Sequence, residues 1–386
     1  MKVVFTGASG GHFYPLIAIA ESLSEIVAER RLVTPKLYYF ADKPNDEELL
    51  FSNNITFVRV PAGKARRYFS FHNFLSPFTT LHGFFVALFT LFRIYPDVVV
   101  SKGSYVSVPV VLAASLLRIP IIIHESDAKP GRANLLAASK ATRIAVAYES
   151  SISYFPLKTR SKIARTGIPI RRGLRVLPEA SLGVQMYGLD TSVPTVLILG
   201  GSSGSLRINE TLIDTLAEIV PFTNVIHQTG KTHIEHVTKR SGVALAGNAY
   251  AARYHPVAFL SGESMRAAAG SASLIVSRAG ATSIAEISLW QKPAILIPIP
   301  ESISHDQRTN AHAYAHTGAA TVLEEDNLTS HVLQSEVRRI VTDPAIMSTM
   351  SAHAAGFTNP EAARVIAEEI VRISLSHEPQ TPAPLS

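Results

Sequence analysis

The chain has 386 residues, of which 47% are hydrophobic and 17% are charged, and it contains no cysteine. The length favours two domains, and the composition excludes a disordered chain because it supplies enough apolar side chains for sizeable cores. Without cysteine, disulfide frameworks, zinc-cysteine sites and thiol chemistry are excluded. The net charge of +6 indicates an anionic partner. Nucleic acid is not predicted as that partner, because the sequence has no long Lys/Arg block or known nucleic-acid module.

Short apolar runs rich in β-branched residues recur along the chain and predict buried parallel strands. They cover residues 2–5, 97–100, 120–125, 143–148, 195–200, 224–227, 273–277 and 293–299. Helical patterns lie between them, and the first of these has Leu16, Ile19, Leu23 and Ile26 on one face. A strand, a Gly/Ser loop and a helix near residue 3 recur from residue 196. The prediction is an α/β fold with two Rossmann-like halves.

The domain boundary is predicted at "TGIPIRRG" (166–173), where a Gly-x-Pro sequence breaks the pattern. Three segments are expected: a first domain over 1–165, a second over 166–357 and a frayed tail over 377–386. A C-terminal helix over about 358–376, with Asn359 as N-cap and Pro360 in its first turn, is expected to return to the first domain. The apolar run Val3–Phe5 is too short for a signal peptide, so a cytoplasmic location is expected.

The first predicted strand runs into "FTGASGGHFYPL" (5–16). The spacing of its glycines matches neither the dinucleotide fingerprint nor the P-loop. Glycines still let backbone amides approach an anion, and the next helix offers the positive end of its dipole. A tight turn without a ligand is equally consistent with this pattern. His12 stands at the head of the helix, where an imidazole can accept a proton or simply cap the turn.

Two further loops follow predicted strands in the second half of the chain. The loop "GGSSG" (200–204) can present backbone amides to phosphate oxygens. The turn in "SRAGATSIAEI" (277–287) is followed by Glu286, whose carboxylate can bind ribose hydroxyls or remain a solvated helix residue.

The segment "ESISHDQRTNAHAYAH" (301–316) places His312 and His316 four residues apart. A zinc-protease motif needs a glutamate after the first histidine, where this chain has Ala313, so no metal site is predicted. Gln307 and its polar neighbours instead have the character of hydrogen-bonding groups for a sugar.

The segment 63–97 combines the basic residues Lys64, Arg66 and Arg67 with many aromatic residues. A spanning helix needs about 20 continuous apolar residues. The uninterrupted run covers only Gly83 to Phe92, so no span is predicted. The helical stripe consists of Phe78, Leu81, Phe85, Leu88 and Phe92. Burial between other elements and docking on an anionic membrane are both open for this stripe.

Taken in order, these motifs resemble the MurG family, which adds N-acetylglucosamine to the lipid-linked muramyl-pentapeptide precursor of peptidoglycan. The motifs are "GASGGHFYP", "AGKARRYF", "PDVVVSKGSYVSVPV", "IHESDAKPGRANLLA", "TGIPIR", "LILGGSSGSLRIN", "HQTGK", "SRAGATSIAEI" and "HDQRTNA". The resemblance implies a GT-B glycosyltransferase with two parallel-sheet domains facing a central cleft. It implies inverting transfer from UDP-N-acetylglucosamine to the muramyl C4 hydroxyl of lipid I, giving lipid II and UDP without a metal or cofactor. An anionic membrane surface would be a further partner, with the protein peripheral on the cytoplasmic face of the cell membrane.

The resemblance also implies roles for single residues. Donor-binding residues would be Arg171, Gly201, Ser202, Leu260, Glu286 and Gln307. Acceptor-binding residues would be Gly10, Gly11, His12, Tyr105 and Asn134. His12 and Asp127 are competing candidates for the proton acceptor. Glu286 would bind the ribose, Ser202 and Arg171 the diphosphate, Gln307 the sugar hydroxyls, and the backbone at Leu260 the uracil.

Three positions depart from the commoner family pattern: Ala8, Ser104 and Ile168. They lie where ligand walls are expected, so acceptor choice or affinity can differ. Transfer to a diacylglycerol or another polyprenyl lipid is an alternative enzyme activity. A membrane adaptor without activity is a second alternative, which the joint presence of His12, Glu286 and Gln307 disfavours.

Overall fold

The computed structural model describes residues 1–8, 10–63, 71–201, 204–303 and 306–376. Contacts divide the chain into two compact units, one formed by Met1–Arg172 with the segment from Pro360 onward, the other by Gly173–Asn359. Both units are α/β with a fully parallel sheet, so the predicted fold class is confirmed. The basic residues Lys64, Arg66 and Arg67, the donor candidate Ser202 and the predicted tail 377–386 lie outside the described residues.

The first unit contains a seven-stranded sheet in the order β3-β2-β1-β4-β5-β6-β7. Its strands are β1 (Lys2–Thr6), β2 (Lys36–Ala41), β3 (Ile55–Arg59), β4 (Val98–Ser101), β5 (Ile121–Glu125), β6 (Arg143–Val146) and β7 (Ile163–Arg165). Its helices are α1 (Tyr14–Glu29), α2 (Glu47–Ser52), α3 (Phe71–Ile94), α4 (Ser107–Leu116) and α5 (Arg132–Ala138), and the C-terminal helix (Ala362–Leu375) joins them. The strand order reverses next to β1, where the connections after β1 and β4 diverge, and ligand sites form at such switch points.

The segment 166–172, predicted for the second domain, belongs to the first unit. The Thr166 amide donates to the Val146 carbonyl at 2.9 Å, which continues the pairing of β7 with β6. Ile168 and Ile170 are buried. The chain therefore stays on the first sheet past the Gly-x-Pro break and leaves it near Arg172.

The C-terminal helix packs along α1 and buries Ile366, Ile370 and Ile373 in the core that α1 and β1 share. The prediction of Asn359 as its N-cap is wrong, because the helix begins at Ala362 after a turn that includes Glu361.

Helix α3 covers the other face of the first sheet. Its Ala87 and Leu91 are buried in the core, and Phe84 and Leu88 pack partly buried against it. The window Ser76–Ile94 has a mean hydropathy of 1.3, and by length and composition alone it could cross a membrane. Only 17% of this window is buried inside the protein. The uninterrupted apolar run in the sequence is shorter because Pro77 and His82 interrupt its extension.

The second unit contains a six-stranded sheet in the order β10-β9-β8-β11-β12-β13. Its strands are β8 (Thr195–Leu199), β9 (Asn224–Gln228), β10 (Tyr254–Val257), β11 (Leu274–Ser277), β12 (Ala294–Leu296) and β13 (Ala320–Val322). The helices are α6 (Arg172–Arg175) at the unit boundary, α7 (Ala180–Tyr187), α8 (Leu206–Ile213), α9 (Leu216–Ile219), α10 (Ile234–Ala244), α11 (Gly262–Ser271), α12 (Ala281–Leu289), α13 (Gln307–Ala315), α14 (Ser330–Val341) and α15 (Pro344–Ala354), so that the C-terminal helix is α16.

A buried histidine links three elements of the second unit. His227 on β9 has no exposed surface, and its Nδ1 lies 2.9 Å from the Tyr254 hydroxyl. Its Nε2 lies 3.0 Å from the Asn209 side-chain oxygen, to which it donates. Burial lowers the pKa of His227 to about 3, so the imidazole is neutral at pH 7.

We expect the second unit to lose stability below pH 6.5 because of His227. The unfolded imidazole binds a proton near its ordinary pKa of 6.5, whereas the folded one does so only near pH 3. The free energy of unfolding should therefore fall by about 2 kcal/mol between pH 7 and pH 5. Denaturant unfolding can be followed by the fluorescence of Trp290, the single tryptophan of the chain, which lies in this unit. The free energy of unfolding of a His227→Gln variant should change less with pH than that of the unaltered protein. Equal slopes would contradict the role given to His227.

Candidate functional site

The first candidate site lies at the carboxyl ends of three adjacent strands in the first unit. Thr6 of β1 is paired with Ser101 of β4, and Ser101 is paired with Ile123 of β5. The loops that follow these strands therefore meet at one edge of the sheet. His12 and Lys102 lie after β1 and β4, and Glu125 is the last residue of β5.

His12 ends a short 3-10 turn over Gly10–His12, directly before α1. Its Nδ1 lies 3.2 Å from the Lys102 carbonyl oxygen. A carbonyl oxygen only accepts, so Nδ1 carries the proton and Nε2 presents a lone pair. Burial, and next the charge of Lys102, lower the pKa of His12 to about 4, while Asp127 acts against them. The ring is therefore neutral at pH 7 and able to accept a proton.

Lys102 follows β4 and is 1% exposed, which is rare for a lysine. Its Nζ donates to the Ser126 hydroxyl at 2.6 Å. Burial lowers the pKa of Lys102, whereas the carboxylates of Glu125 and Asp127 raise it. A basic side chain and two acidic ones thus surround the turn that holds His12.

Glu125 ends β5 and organises the loop after it. Its Oε1 accepts from the Asp127 amide at 3.0 Å. Its Oε2 accepts from the Gly131 amide at 3.0 Å and from the Asn134 side chain at 2.9 Å. Burial, and after it the charge of Asp127, raise the pKa of Glu125. The carboxylate fixes Asp127 and Asn134 relative to the strand end.

The turn after β4 has a backbone that few side chains tolerate. Gly103 has a φ of +84° and Ser104 one of +74°. A Cβ at position 103 would lie 2.7 Å from the Asn134 side-chain oxygen. Tyr105 follows, and its hydroxyl donates to Asp42 at 2.9 Å. The predicted acceptor residues Tyr105 and Asn134 thus flank one turn.

Three buried polar atoms at this sheet edge have no hydrogen-bond partner in the part of the chain that the structure describes. They are the Thr6 hydroxyl, His124 Nδ1 and the Asn134 side-chain oxygen. Buried polar groups are normally paired. They lie near the carboxyl ends of β1 and β5, so this edge is the candidate for a polar ligand site in the first unit.

The second candidate site is the glycine turn after β8 in the second unit. Gly201 and Gly204 have φ values of +87° and +77°. Ser205 caps α8 by accepting from the Ile208 amide at 3.3 Å, and Arg278 donates to the Ser205 hydroxyl at 2.6 Å. Arg278 also pairs with Glu325. A positive side chain therefore lies beside the amino end of a helix, an arrangement suited to an anion.

An open cleft of about 600 Å³ lies against this turn. Its lining includes Gly200, Gly204, Ser205, Arg278 and Ile303. The volume falls in the range of sites for small ligands and cofactors. The turn, the helix start and the arginine therefore border a space large enough for part of a nucleotide.

The other predicted residues of the second unit lie on neighbouring elements. Leu260 precedes α11, and its amide donates to Gln228 at 2.9 Å. Gln307 begins α13 and accepts from the Ile299 amide at 3.2 Å. Glu286 lies on α12, half-buried.

Comparison with known proteins decides the family. The profiles of the Glycosyltransferase family 28 N-terminal and C-terminal domains match residues 3–146 and 195–369. The chain is 35% identical over 345 residues to the UDP-N-acetylglucosamine--N-acetylmuramyl-(pentapeptide) pyrophosphoryl-undecaprenol N-acetylglucosamine transferase of Lachnospira eligens, covering 89% of this chain and 91% of that protein. It is 35% identical to the protein of the same name from Treponema denticola, covering 83% of each. The chain belongs to the MurG family.

A solved structure agrees with this family assignment. The crystal structure of Acinetobacter baumannii MurG matches with a TM-score of 0.71 and 25% identity, and the match covers 96% of this chain and 99% of that one. The two Rossmann-like units are therefore those of a GT-B glycosyltransferase, and the resemblance inferred from the motifs is confirmed.

Within this MurG-family chain, the structure brings several predicted site residues together inside each unit. Gly10, Gly11 and His12 share one turn of the first unit, and Asp127 and Asn134 are held by Glu125 there. Gly201 and Leu260 are joined through Gln228 in the second unit.

Arg171, predicted to bind the donor diphosphate, lies in the first unit. Its guanidinium stacks over the Tyr14 ring at 4.6 Å. Its buried Nε has no hydrogen-bond partner among the described residues.

His312 contacts Glu324 at 3.0 Å. The described residues contain no group of three or more His, Asp or Glu side chains able to hold a metal.

Sequence reasoning missed four polar residues that the structure ties to these sites: Lys102, Glu125, Gln228 and Arg278. All four lie at or directly after the carboxyl end of an observed strand, and within two residues of the end of a predicted one. Polar side chains at the ends of apolar runs are a signal that could have identified them, because ligands of parallel sheets bind at that edge.

Proposed function

We propose that this chain transfers N-acetylglucosamine from UDP-N-acetylglucosamine to the C4 hydroxyl of the muramyl pentapeptide carried on undecaprenyl diphosphate, releasing UDP. The observation that carries this conclusion is the match to transferases of that name over 89% of the chain. As a member of the family, the chain is a UDP-sugar N-acetylglucosaminyltransferase of peptidoglycan synthesis. The residue assignments below are the proposal's own.

The second unit is assigned to the donor. The turn at Gly201 and Gly204, with the start of α8, would hold the diphosphate, since both glycines adopt positive φ and the cleft opens against them. The backbone at Leu260 would hold the uracil, Glu286 the ribose, and Gln307 hydroxyls of the sugar. Arg278, beside the same helix start, adds positive charge near the leaving group.

The first unit is assigned to the acceptor. The turn at Gly10, Gly11 and His12 would take the lipid diphosphate, and Tyr105 and Asn134 would flank it. The Asn134 side-chain oxygen, which has no partner among the described residues, supports a ligand at this edge. Arg171 extends the positive charge of this unit from its place over Tyr14.

The transfer is a direct displacement. Nε2 of His12 takes the proton of the muramyl hydroxyl as its oxygen attacks the anomeric carbon, and the bond from that carbon to the UDP oxygen breaks. The anomeric centre inverts and UDP leaves with the electron pair. Amide groups at the start of α8 stabilise the charge that develops on the diphosphate. The acceptor diphosphate beside His12 would raise its pKa from about 4 toward neutrality, where proton acceptance is most effective.

The exposed face of α3 is assigned to a membrane surface. Five large apolar side chains of this helix are more than half exposed: Phe78, Leu81, Phe85, Phe89 and Phe92. Phe85, Phe89 and Phe92 line, with Leu116 of α4, an apolar groove of about 520 Å³. An apolar area of this kind, with a basic stretch before it in sequence, fits a helix that lies in an anionic interface. The protein would then be peripheral, on the cytoplasmic face of the cell membrane.

We expect a Phe85→Ser, Phe89→Ser double variant to bind anionic vesicles at least tenfold more weakly, since two large apolar side chains no longer enter the interface. Vesicle co-sedimentation measures this. The matched control is Phe51→Ser, because Phe51 is 86% exposed on α2 and lies outside this face. Added salt should weaken binding of the unaltered protein if the basic stretch contributes. Equal binding to neutral vesicles at every ionic strength would contradict the electrostatic part.

The deciding experiment is UDP release from UDP-N-acetylglucosamine with and without a soluble analogue of the lipid-linked muramyl pentapeptide. Acceptor-dependent release, with the disaccharide identified by mass, is the expected result. Release that requires a diacylglycerol or another polyprenyl lipid instead would assign a different acceptor. Absence of release with every acceptor would overturn the proposed function.

A further inference from the structure

Gln228 stands between the two parts of the second unit that the proposed function assigns to the donor. It is the last residue of β9 and is 3% exposed. In the sheet it pairs with Leu199, the last residue of β8, and with Val257, the last residue of β10. The glycine turn follows β8 and the Leu260 segment follows β10, so the Gln228 side chain emerges where both begin.

The side-chain amide uses both of its ends. Its Nε2 donates to the Gly201 carbonyl oxygen at 3.1 Å, and its Oε1 accepts from the Leu260 amide at 2.9 Å. The Gly201 carbonyl also accepts from the Gly204 amide at 3.1 Å, which closes the glycine turn. One buried side chain therefore holds the turn on one side and the Leu260 backbone on the other.

We infer that Gln228 is a positioning residue for the donor, setting the distance between the diphosphate turn and the backbone that receives the base. Its side-chain amide contacts the backbone of Gly201 and Leu260, so it would act on the donor through these two residues. A nucleoside diphosphate binds well only if the diphosphate turn and the base-binding backbone are correctly spaced, whereas a nucleoside needs only the base-binding backbone. Gln228 should accordingly affect binding of UDP more than binding of uridine. The inference rests on the proposed function of the second unit.

Two substitutions separate the two contacts. Gln228→Glu keeps an acceptor for the Leu260 amide but sets a carboxylate oxygen against the Gly201 carbonyl. Gln228→Leu removes both contacts at similar volume. We expect Gln228→Glu to weaken UDP binding at least tenfold and uridine binding less than twofold, and Gln228→Leu to weaken both by about tenfold. Isothermal titration with UDP and with uridine measures the ratio.

Asn224 offers a matched control at the other end of the same strand. It is buried, and its amide also bridges backbone groups, accepting from the Asp190 amide at 3.0 Å and donating to the Asp190 carbonyl at 2.9 Å. Asn224→Asp should lower the melting temperature without changing the ratio of UDP to uridine affinity. A role for Gln228 in stability alone predicts the same behaviour for Gln228→Glu.

The outcomes distinguish the inference from the proposed function. If the unaltered protein binds UDP and Gln228→Glu leaves the ratio unchanged, the positioning role is wrong and the proposed function stands. If the unaltered protein binds neither UDP nor uridine, both are overturned. Should Gln228→Glu fail to fold, Gln228→Asn, which is one methylene too short to span both contacts, takes its place with the same expected change of ratio.

Discussion

Replacing His12 with alanine is expected to lower kcat by about two to four orders of magnitude, the usual contribution of a positioned general base. Because Nδ1 of His12 donates to the Lys102 carbonyl, Nε2 is the ring nitrogen that can accept a proton. Its low pKa keeps it neutral, so the unaltered enzyme should retain kcat/KM well below pH 6.5. Turnover of UDP-N-acetylglucosamine with the soluble acceptor analogue, measured from pH 5 to pH 8, checks both statements.

Asp127→Asn is the comparison that separates the two candidate bases. Asn at 127 retains the backbone amide that donates to Glu125, so the loop should keep its shape. If His12 is the base, Asp127→Asn should reduce kcat by less than about tenfold, acting mainly through the charge that Asp127 places near the imidazole. Full activity of His12→Ala together with loss of activity in Asp127→Asn would assign proton acceptance to Asp127.

The sequence predicted every central strand of the two sheets except β2, and it predicted none of the edge strands. The apolar runs at 2–5 and 195–200 correspond to β1 and β8, which have a neighbour on each side and are buried on both faces. The edge strand β3 has only one fully buried residue, Ile55, and the edge strand β10 contains a proline. Neither forms a continuous apolar run, so the criterion that identifies central strands does not find them.

The sequence indicates the glycine turn of the second candidate site but not the contacts around it. Gly201 and Gly204 adopt a positive φ, which restricts the residue type at both positions. Gln228 could not be assigned a role, because its two partners lie 27 and 32 residues away in sequence and meet it only through the strand order β10-β9-β8. The burial of Lys102 likewise depends on the fold, since an isolated lysine in a sequence is normally exposed.

Gly204→Ala is expected to abolish most donor binding, with a loss in kcat/KM for UDP-N-acetylglucosamine on the order of 100-fold or more. Gly204 has a φ of +77°, and a Cβ there would overlap the Thr229 carbonyl oxygen and lie 2.9 Å from the Gly230 Cα. Both obstacles are backbone atoms of the loop after β9, so they cannot move aside by a change of rotamer. The glycine turn must shift away from β9.

The Gly201→Ala variant tests the energetic cost of a positive φ without the steric collision that a Cβ at position 204 would cause. Gly201 has a φ of +87°, but no described atom lies within 4 Å of a Cβ built there. That variant should lose only the conformational term of about 1–2 kcal/mol in stability. Gly188, the C-cap of α7 with a φ of +64°, supplies the same term outside the turn, before β8 begins. Melting curves and donor kinetics are therefore compared among the three alanine variants.

If Gly204→Ala matches Gly201→Ala in kcat/KM, close packing of the turn against Thr229 does not determine donor binding. If it falls far below, while Gly188→Ala loses only stability, the diphosphate turn is held in place by β9 and its loop.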